Sequence, residues 1–174
     1  MFNVLRAFLP YLRARRSGVV ATLGSIAGWR GTPNAGLYCS TKFAIAGFTE
    51  SLKAECKHLN IEVVCIEPRY TRTNFLSSGH RNKAQNAIED YDEATRPIAK
   101  ALDAYNCAQP NDPVKSSRII VQALTHTGPF EGKELPTRLM MGRDAVEFVD
   151  NTLAFRKSEQ EAWRDVVKHC DHDE

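Results

Sequence analysis

Two short apolar runs separated by a long helical stretch constrain this chain more than any other feature. Val19-Val20-Ala21-Thr22-Leu23 and Ile61-Glu62-Val63-Val64-Cys65-Ile66 read as strands buried within a sheet. Between them, a helix from Leu37 to about Leu59 puts Ile45, Phe48, Leu52, Cys56 and Leu59 on one stripe, with Asn60 as a left-handed stop. Buried strand, helix, buried strand predicts a parallel crossover and therefore an α/β sheet.

The flanking sequence continues the alternation. Residues 2–16 place Phe2, Leu5, Phe8, Leu9 and Leu12 at helical spacing with arginines opposite. Pro10 should kink that helix or open a shorter second segment, and Gly18 ends it. Residues 24–36 form a glycine-rich loop. Gly47 costs its helix about 1 kcal/mol relative to Ala, which suggests close packing by another helix. The mostly polar stretch 69–111 is expected to hold short helices around 83–91 and 94–105. Asp112-Pro113 starts a further helix, with an acceptor at the cap and a fixed φ in the first turn. That helix should carry Val114, Ser117, Ile120, Val121 and Leu124 into the core and end before Gly128. Leu139-Met140-Met141 is a third strand, and 143–169 a charged, amphipathic closing helix.

Composition narrows the function classes. With 43% hydrophobic residues, 25% charged and a net charge of +2, nothing points to nucleic acid or a membrane surface, and no apolar stretch is long enough to span a bilayer. Charge is unevenly spread: Arg6, Arg13, Arg15, Arg16, Arg30 and Lys42 precede the first acid, Glu50. A targeting peptide is the weaker explanation, because Arg6 and Pro10 interrupt the apolar run and a helix of the fold accounts for the arginines. Cys39, Cys56, Cys65, Cys107 and Cys170 form no C-x-x-C pair and are odd in number, which reads as reduced thiols in a cytoplasmic protein. The tail His169-Cys170-Asp171-His172-Asp173 has metal-ligand residue types, but a frayed acidic terminus is the expectation and no metal site is assigned.

Chemistry concentrates at Tyr38 and Lys42, four apart and so on one helix face. An ammonium beside a phenol favours phenolate and should pull the tyrosine down from about 10 toward working pH. Such a tyrosine can give a proton to a carbonyl oxygen or take one from an alcohol. Ser25, at the end of the preceding strand, can hold the same oxygen by hydrogen bond. Ser25 is not a hydrolase nucleophile: an elbow needs glycine two residues to either side, and Leu23 and Ala27 stand there.

Three ordered segments resemble the short-chain dehydrogenase/reductase family. Thr22-Leu23-Gly24-Ser25-Ile26-Ala27-Gly28 resembles its serine-bearing strand-to-loop segment, and Tyr38-Cys39-Ser40-Thr41-Lys42 its Y-x-x-x-K helix. Glu67-Pro68-Arg69-Tyr70-Thr71-Arg72-Thr73 resembles its P-G-x-x-x-T segment. The similarity runs on through Asp112-Pro113-Val114-Lys115 and Leu135 to Ala145. The resemblance implies an α/β fold, a partial doubly wound (Rossmann-type) parallel sheet of about three strands flanked by helices. It implies a single partial domain over 1–174: a helix at 1–17, the Ser/Tyr/Lys core at 19–73, a substrate-binding region at 74–111, and the last helices and strand at 112–174.

The implied activity is hydride transfer between NADP or NAD, with NADP favoured on family grounds, and a small ketone, aldehyde or alcohol. Ser25, Tyr38 and Lys42 would be catalytic; Tyr38, Lys42, Thr71 and Thr73 would contact the cofactor. The family's T-G-x-x-x-G-x-G turn is absent from this sequence, so the expectation is a chain truncated before the dinucleotide-gripping half. The alternative left open is a catalytically inactive fragment that at most associates with other subunits. Arg69 stands where the family usually has glycine, a change that could weaken cofactor placement. Val19–Leu23 would be an exposed apolar edge, so a poorly soluble or oligomeric product is expected, with a homo-oligomer through helices 2–16 and 38–58.

Overall fold

The central strand explains the sheet. In the computed structural model, which describes residues 1–77, 79–81, 86–170 and 172, β2 (Ile61–Pro68) is buried almost throughout, with Val63, Val64 and Cys65 fully covered. Such a strand has no polar face to offer water, so it needs a layer on each side. It pairs in parallel with β1 (Gly18–Leu23) on one edge and β3 (Arg138–Met141) on the other, giving the order β1-β2-β3. Gly18 stands opposite Ile61 and Leu23 opposite Ile66; Cys65 stands opposite Arg138 and Pro68 opposite Met141. The α/β, parallel, three-stranded expectation holds.

Two apolar layers cover the sheet. On one face Val20, Ile61 and Val63 pack with Leu52 and Cys56 of α2 (Gly36–Cys56), and with Leu5, Leu9 and Leu12 of α1 (Phe2–Arg15). On the other, Val64, Ile66, Met141 and Leu135 meet Ile119, Ile120, Ala123 and Leu124 of α4 (Pro113–Leu124). Burying each large aliphatic side chain here contributes about 1.5–3 kcal/mol. The remaining helices are α3 (Asp92–Tyr105) and α5 (Arg143–Val167).

Several local expectations hold for the stated reasons. Asn60 takes the left-handed conformation, at φ 54°, that ends the turn after α2. The Asp112 carboxylate accepts from the Val114 and Lys115 N–H groups at 2.7 and 3.1 Å. The β1 edge away from β2 is unpaired among the described residues, and Leu23 at its end is exposed, although Val20 and Thr22 are buried.

Other expectations are corrected. Helix α1 runs through Pro10 as one element rather than opening a second segment. The glycine-rich loop contains a single 3-10 turn at Ile26–Gly28. Among the described residues nothing lies within 4 Å of a Cβ built at Gly47, so they offer no close helix packing to explain it. Helix α4 is rotated from the expected phase: Val114 and Val121 are 66% and 58% exposed and Ser117 is exposed, while Ile119 and Ala123 take the inward positions. The helix expected at 83–91 falls partly outside the described residues; its end is a 3-10 turn at Glu89–Tyr91, followed directly by α3. No group of three or more metal-ligating side chains occurs among the described residues. Asp171 and Asp173 of the tail lie outside them.

Candidate active site at the carboxyl end of the sheet

Strand β1 delivers the first site residue. Pairing continues one residue past the strand, with Gly24 N–H donating to Ile66 O at 2.8 Å, and the chain then turns. Ser25 begins that turn in extended conformation. Its Oγ accepts from Ala27 N–H at 3.2 Å and its carbonyl accepts from Gly28 N–H at 2.9 Å. This fixes the hydroxyl oxygen while leaving its proton to be donated elsewhere.

Helix α2 supplies the other two. Tyr38 lies in its first turn, 41% exposed, and Lys42 one turn later. The Lys42 ammonium donates to Leu23 O at 3.0 Å and stands 5.5 Å from the Tyr38 ring centroid. One cation therefore ties the strand that carries Ser25 to the helix that carries Tyr38. Burial lowers the Lys42 pKa from its ordinary value, with the Cys65 charge opposing more weakly. Glycine at position 28 makes the approach possible, because a Cβ there would fall 2.8 Å from the Lys42 carbonyl oxygen.

The segment after β2 closes the far side. Thr71 bridges to Asn111 through the Tyr70 carbonyl and the Arg72 N–H, at 3.2 and 2.9 Å. The bridge leaves the N–H and C=O of Thr71 itself unbonded among the described residues. Thr73 caps the turn Asn74–Leu76, its Oγ1 accepting from Phe75 N–H at 3.3 Å. Phe75 brings its ring to 6.5 Å from that of Tyr38, so the Thr71–Thr73 loop and the tyrosine share one aromatic wall. Tyr70, in the same segment, pairs with Tyr105, centroids 4.9 Å apart. Burial pushes the Tyr70 pKa up, with the Arg69 cation pulling the other way.

Two features escape sequence reasoning. The first is a buried ionic cluster behind the Ser25 turn. Glu67, 0% exposed, receives Arg138 Nε and Nη2 at 2.9 and 2.7 Å on one oxygen and Trp29 Nε1 at 2.7 Å on the other. Arg138 also donates to Gly28 O at 3.1 Å, and its guanidinium stands 3.8 Å from the Trp29 ring centroid. A glutamate inside an apolar strand was the available signal, since a buried carboxylate requires a partner. The second is the buried Thr22–Thr49 hydroxyl pair at 2.7 Å, which joins β1 to α2 below the site. Arg69 is not among the residues with positive φ, so glycine torsions are not required there, and its side chain turns to Asp144.

The parallel sheet thus carries a serine at one strand end, and a tyrosine and a lysine one turn apart on the next helix. Comparison with known proteins gives the family. Residues 1–84 match the family model described as short chain dehydrogenase. The oxidoreductase BOA17 of Botryotinia fuckeliana is 29% identical over 163 residues, 94% of this chain and 57% of that protein. The 3-ketodihydrosphingosine reductase of Bacteroides thetaiotaomicron is 33% identical over 101 residues, 58% of this chain and 38% of that protein. Among solved structures, a short-chain dehydrogenase from Streptomyces avermitilis superposes with a TM-score of 0.78 at 29% identity, covering 95% of this chain and 57% of that one. A short-chain dehydrogenase/reductase from Burkholderia phymatum, solved in complex with NAD, superposes at 0.63 with 15% identity, a likeness of fold, over 84% of this chain and 50% of that one. This chain belongs to the short-chain dehydrogenase/reductase family. It spans about half the length of the curated relatives it matches. Among the described residues, no helix is long and apolar enough to cross a membrane.

Proposed function

We propose that this chain carries the proton-transfer half of an NAD(P)-dependent oxidoreductase acting on a small ketone, aldehyde or alcohol. The observation that carries the reading is the Lys42 ammonium, fastened to the Leu23 carbonyl and set 5.5 Å from the Tyr38 ring, beside the turn that presents Ser25. Tyr38 protonates a developing alkoxide in reduction, or removes the alcohol proton in oxidation. Ser25 donates its remaining hydroxyl proton to the same oxygen, fixing the reacting carbon relative to Tyr38. Lys42 stabilises the phenolate that Tyr38 becomes after giving up its proton.

The residues fit a nicotinamide cofactor. The unbonded Thr71 N–H and C=O match the acceptor and donor of a carboxamide, Thr73 adds a hydroxyl, and Lys42 keeps donors for ribose oxygens. Bound there, the nicotinamide would exchange a hydride with the substrate carbon while these side chains handle the proton. The stretch 74–111 would form the substrate wall, and the name of the Bacteroides relative, a ketone reductase, suits that direction. The thiols carry no disulfide, consistent with a cytoplasmic setting. The exposed outer faces of α1 and α2, with Val4, Phe8, Tyr11 and Phe43, support a homo-oligomer.

The direct test is the melting temperature of the chain with NADPH and with NADH, followed by cofactor oxidation with a panel of ketones. A rise in melting temperature with either nucleotide, and turnover lost in Tyr38→Phe with that rise retained, supports the reading. Turnover equal in Tyr38→Phe and wild type overturns it.

A further inference from the structure

The loop after β2 is held by a cation at the position where the family pattern has glycine. Arg69 Nη1 donates to the Asp144 carbonyl at 2.8 Å, and Nε lies 3.2 Å from Asp144 Oδ2, an ionic contact off the hydrogen-bond line. The guanidinium stands over the Phe148 ring at 4.8 Å and reaches the Tyr70 ring at 5.6 Å. Asp144 Oδ1 accepts from Asn111 Nδ2 at 3.2 Å, and the same amide donates to the Tyr70 carbonyl at 3.2 Å. Space for this junction comes from Gly142, at φ 106°; a Cβ there would fall 2.5–2.8 Å from Asn111 Oδ1, Asn111 Nδ2 and Asp144 Oδ1.

Both peptides flanking Thr71 are thus pinned, Tyr70 through its carbonyl and Arg72 through its N–H, while the N–H and C=O of Thr71 itself find no backbone partner among the described residues. Asp144 lies in the first turn of α5, where the helix dipole favours its charge and so strengthens the anchor for Arg69. We propose that Arg69, Asp144 and Asn111 form a positioning device that presents the Thr71 peptide to a nicotinamide carboxamide. The inference rests on the cofactor reading above. Glycine at 69 would leave this loop many conformations to lose on binding, whereas an arginine stacked and ion-paired removes them beforehand.

The test uses the full chain and the variants Arg69→Gly, Arg69→Lys and Asp144→Asn. Amide hydrogen exchange is followed at Arg72 and Asn111, with Val64 in the sheet as internal control. Ligand shifts are titrated with nicotinamide riboside and with the equally charged pyridinium riboside lacking the carboxamide. In Arg69→Gly, exchange at Arg72 and Asn111 should quicken about tenfold with Val64 unchanged, as expected for local opening. Nicotinamide riboside should then bind about tenfold more weakly, and the carboxamide-free analogue equally well in both proteins. Arg69→Lys, which keeps the charge but loses the fork, should fall between, and Asp144→Asn should follow Arg69→Gly. Unchanged exchange at Arg72 and Asn111 overturns the proposal, as does an equal loss of both ligands. A wild-type chain that binds neither ligand sinks the cofactor reading and the carboxamide role with it, while the exchange result still decides whether Arg69 orders the loop.

Discussion

Two charged clusters flank the candidate site and differ in how they are built. Behind the Ser25 turn, Glu67 is sealed from water, and both carboxylate oxygens are bonded, to Arg138 and to Trp29. Ahead of the Thr71 loop, Arg69 and Asp144 keep about a quarter of their side-chain surface in water; Arg69 bonds the Asp144 carbonyl, and its contact with the carboxylate is off the hydrogen-bond line. The first cluster fastens three elements that must stay together: β2, β3 and the serine turn. The second fastens a loop to a helix. A pair whose carboxylate is fully buried, as Glu67 is beside an Arg138 only 17% exposed, is costly to break on one side, whereas a pair wet on both sides is screened and adjustable. Rigidity is therefore concentrated on the serine side, and latitude on the loop side.

Removing one partner from the sealed cluster should have the largest effect. Glu67→Ala strips Arg138 of its bonded carboxylate, leaving it only Glu50 at 3.8 Å, and should cost about 3–5 kcal/mol in urea unfolding. A loss below about 1 kcal/mol would erase the contrast. The double variant Glu67→Met/Arg138→Met should recover most of that stability, since apolar replacements remove the desolvation penalty along with the pair.

Gly142→Ala comes next. It forces a side chain onto a left-handed backbone and into Asn111, for about 2 kcal/mol by the same measurement. Arg69→Met should cost about 1 kcal/mol or less, and the loss should shrink as salt is raised. The Glu67→Ala loss should not shrink; equal salt sensitivity would mean that burial does not separate the two clusters.

Asp112, fully exposed at the head of α4, sets the lower bound. The Lys115 and Val114 N–H groups hold its carboxyl below its ordinary pKa. A depressed folded-state pKa gives stability that is present above the unfolded value, about 3.9, and lost as pH falls through the folded one. The difference in unfolding free energy between wild type and Asp112→Ala should therefore persist at neutral pH and narrow in acid. A constant difference would remove the assignment.

Much of the fold is legible in the residues because it depends on neighbours close in sequence. Val63–Ile66 are apolar without alternation, Asp112 precedes proline, and Asn60 follows a helix; each fixes its element locally. The phase of α4 is not local. Val114, Ile120 and Val121 fit one stripe as well as Ile119, Ile120 and Ala123 fit another, and the sheet chooses the second. The same holds at the site. Tyr38 and Lys42 are visible because one helical turn joins them, and Ser25 because it ends a strand. Glu67 and Arg138 lie 71 positions apart and meet only when β2 and β3 pair. Arg69 is conspicuous as a departure from a pattern, yet its partner, Asp144, lies 75 positions away, at the head of α5.

The contact between Trp29 and Arg138 has an optical consequence. The chain has two tryptophans, and they occupy opposite surroundings: Trp29 under a guanidinium and bonded to Glu67, Trp163 63% exposed on α5. Trp29 is half-buried, so a neutral quencher such as acrylamide should act more strongly on Trp163, and the emission that survives is weighted toward an intrinsic dye at the serine turn. Its wavelength and lifetime would then register any ligand that disturbs that turn, without a label and without turnover.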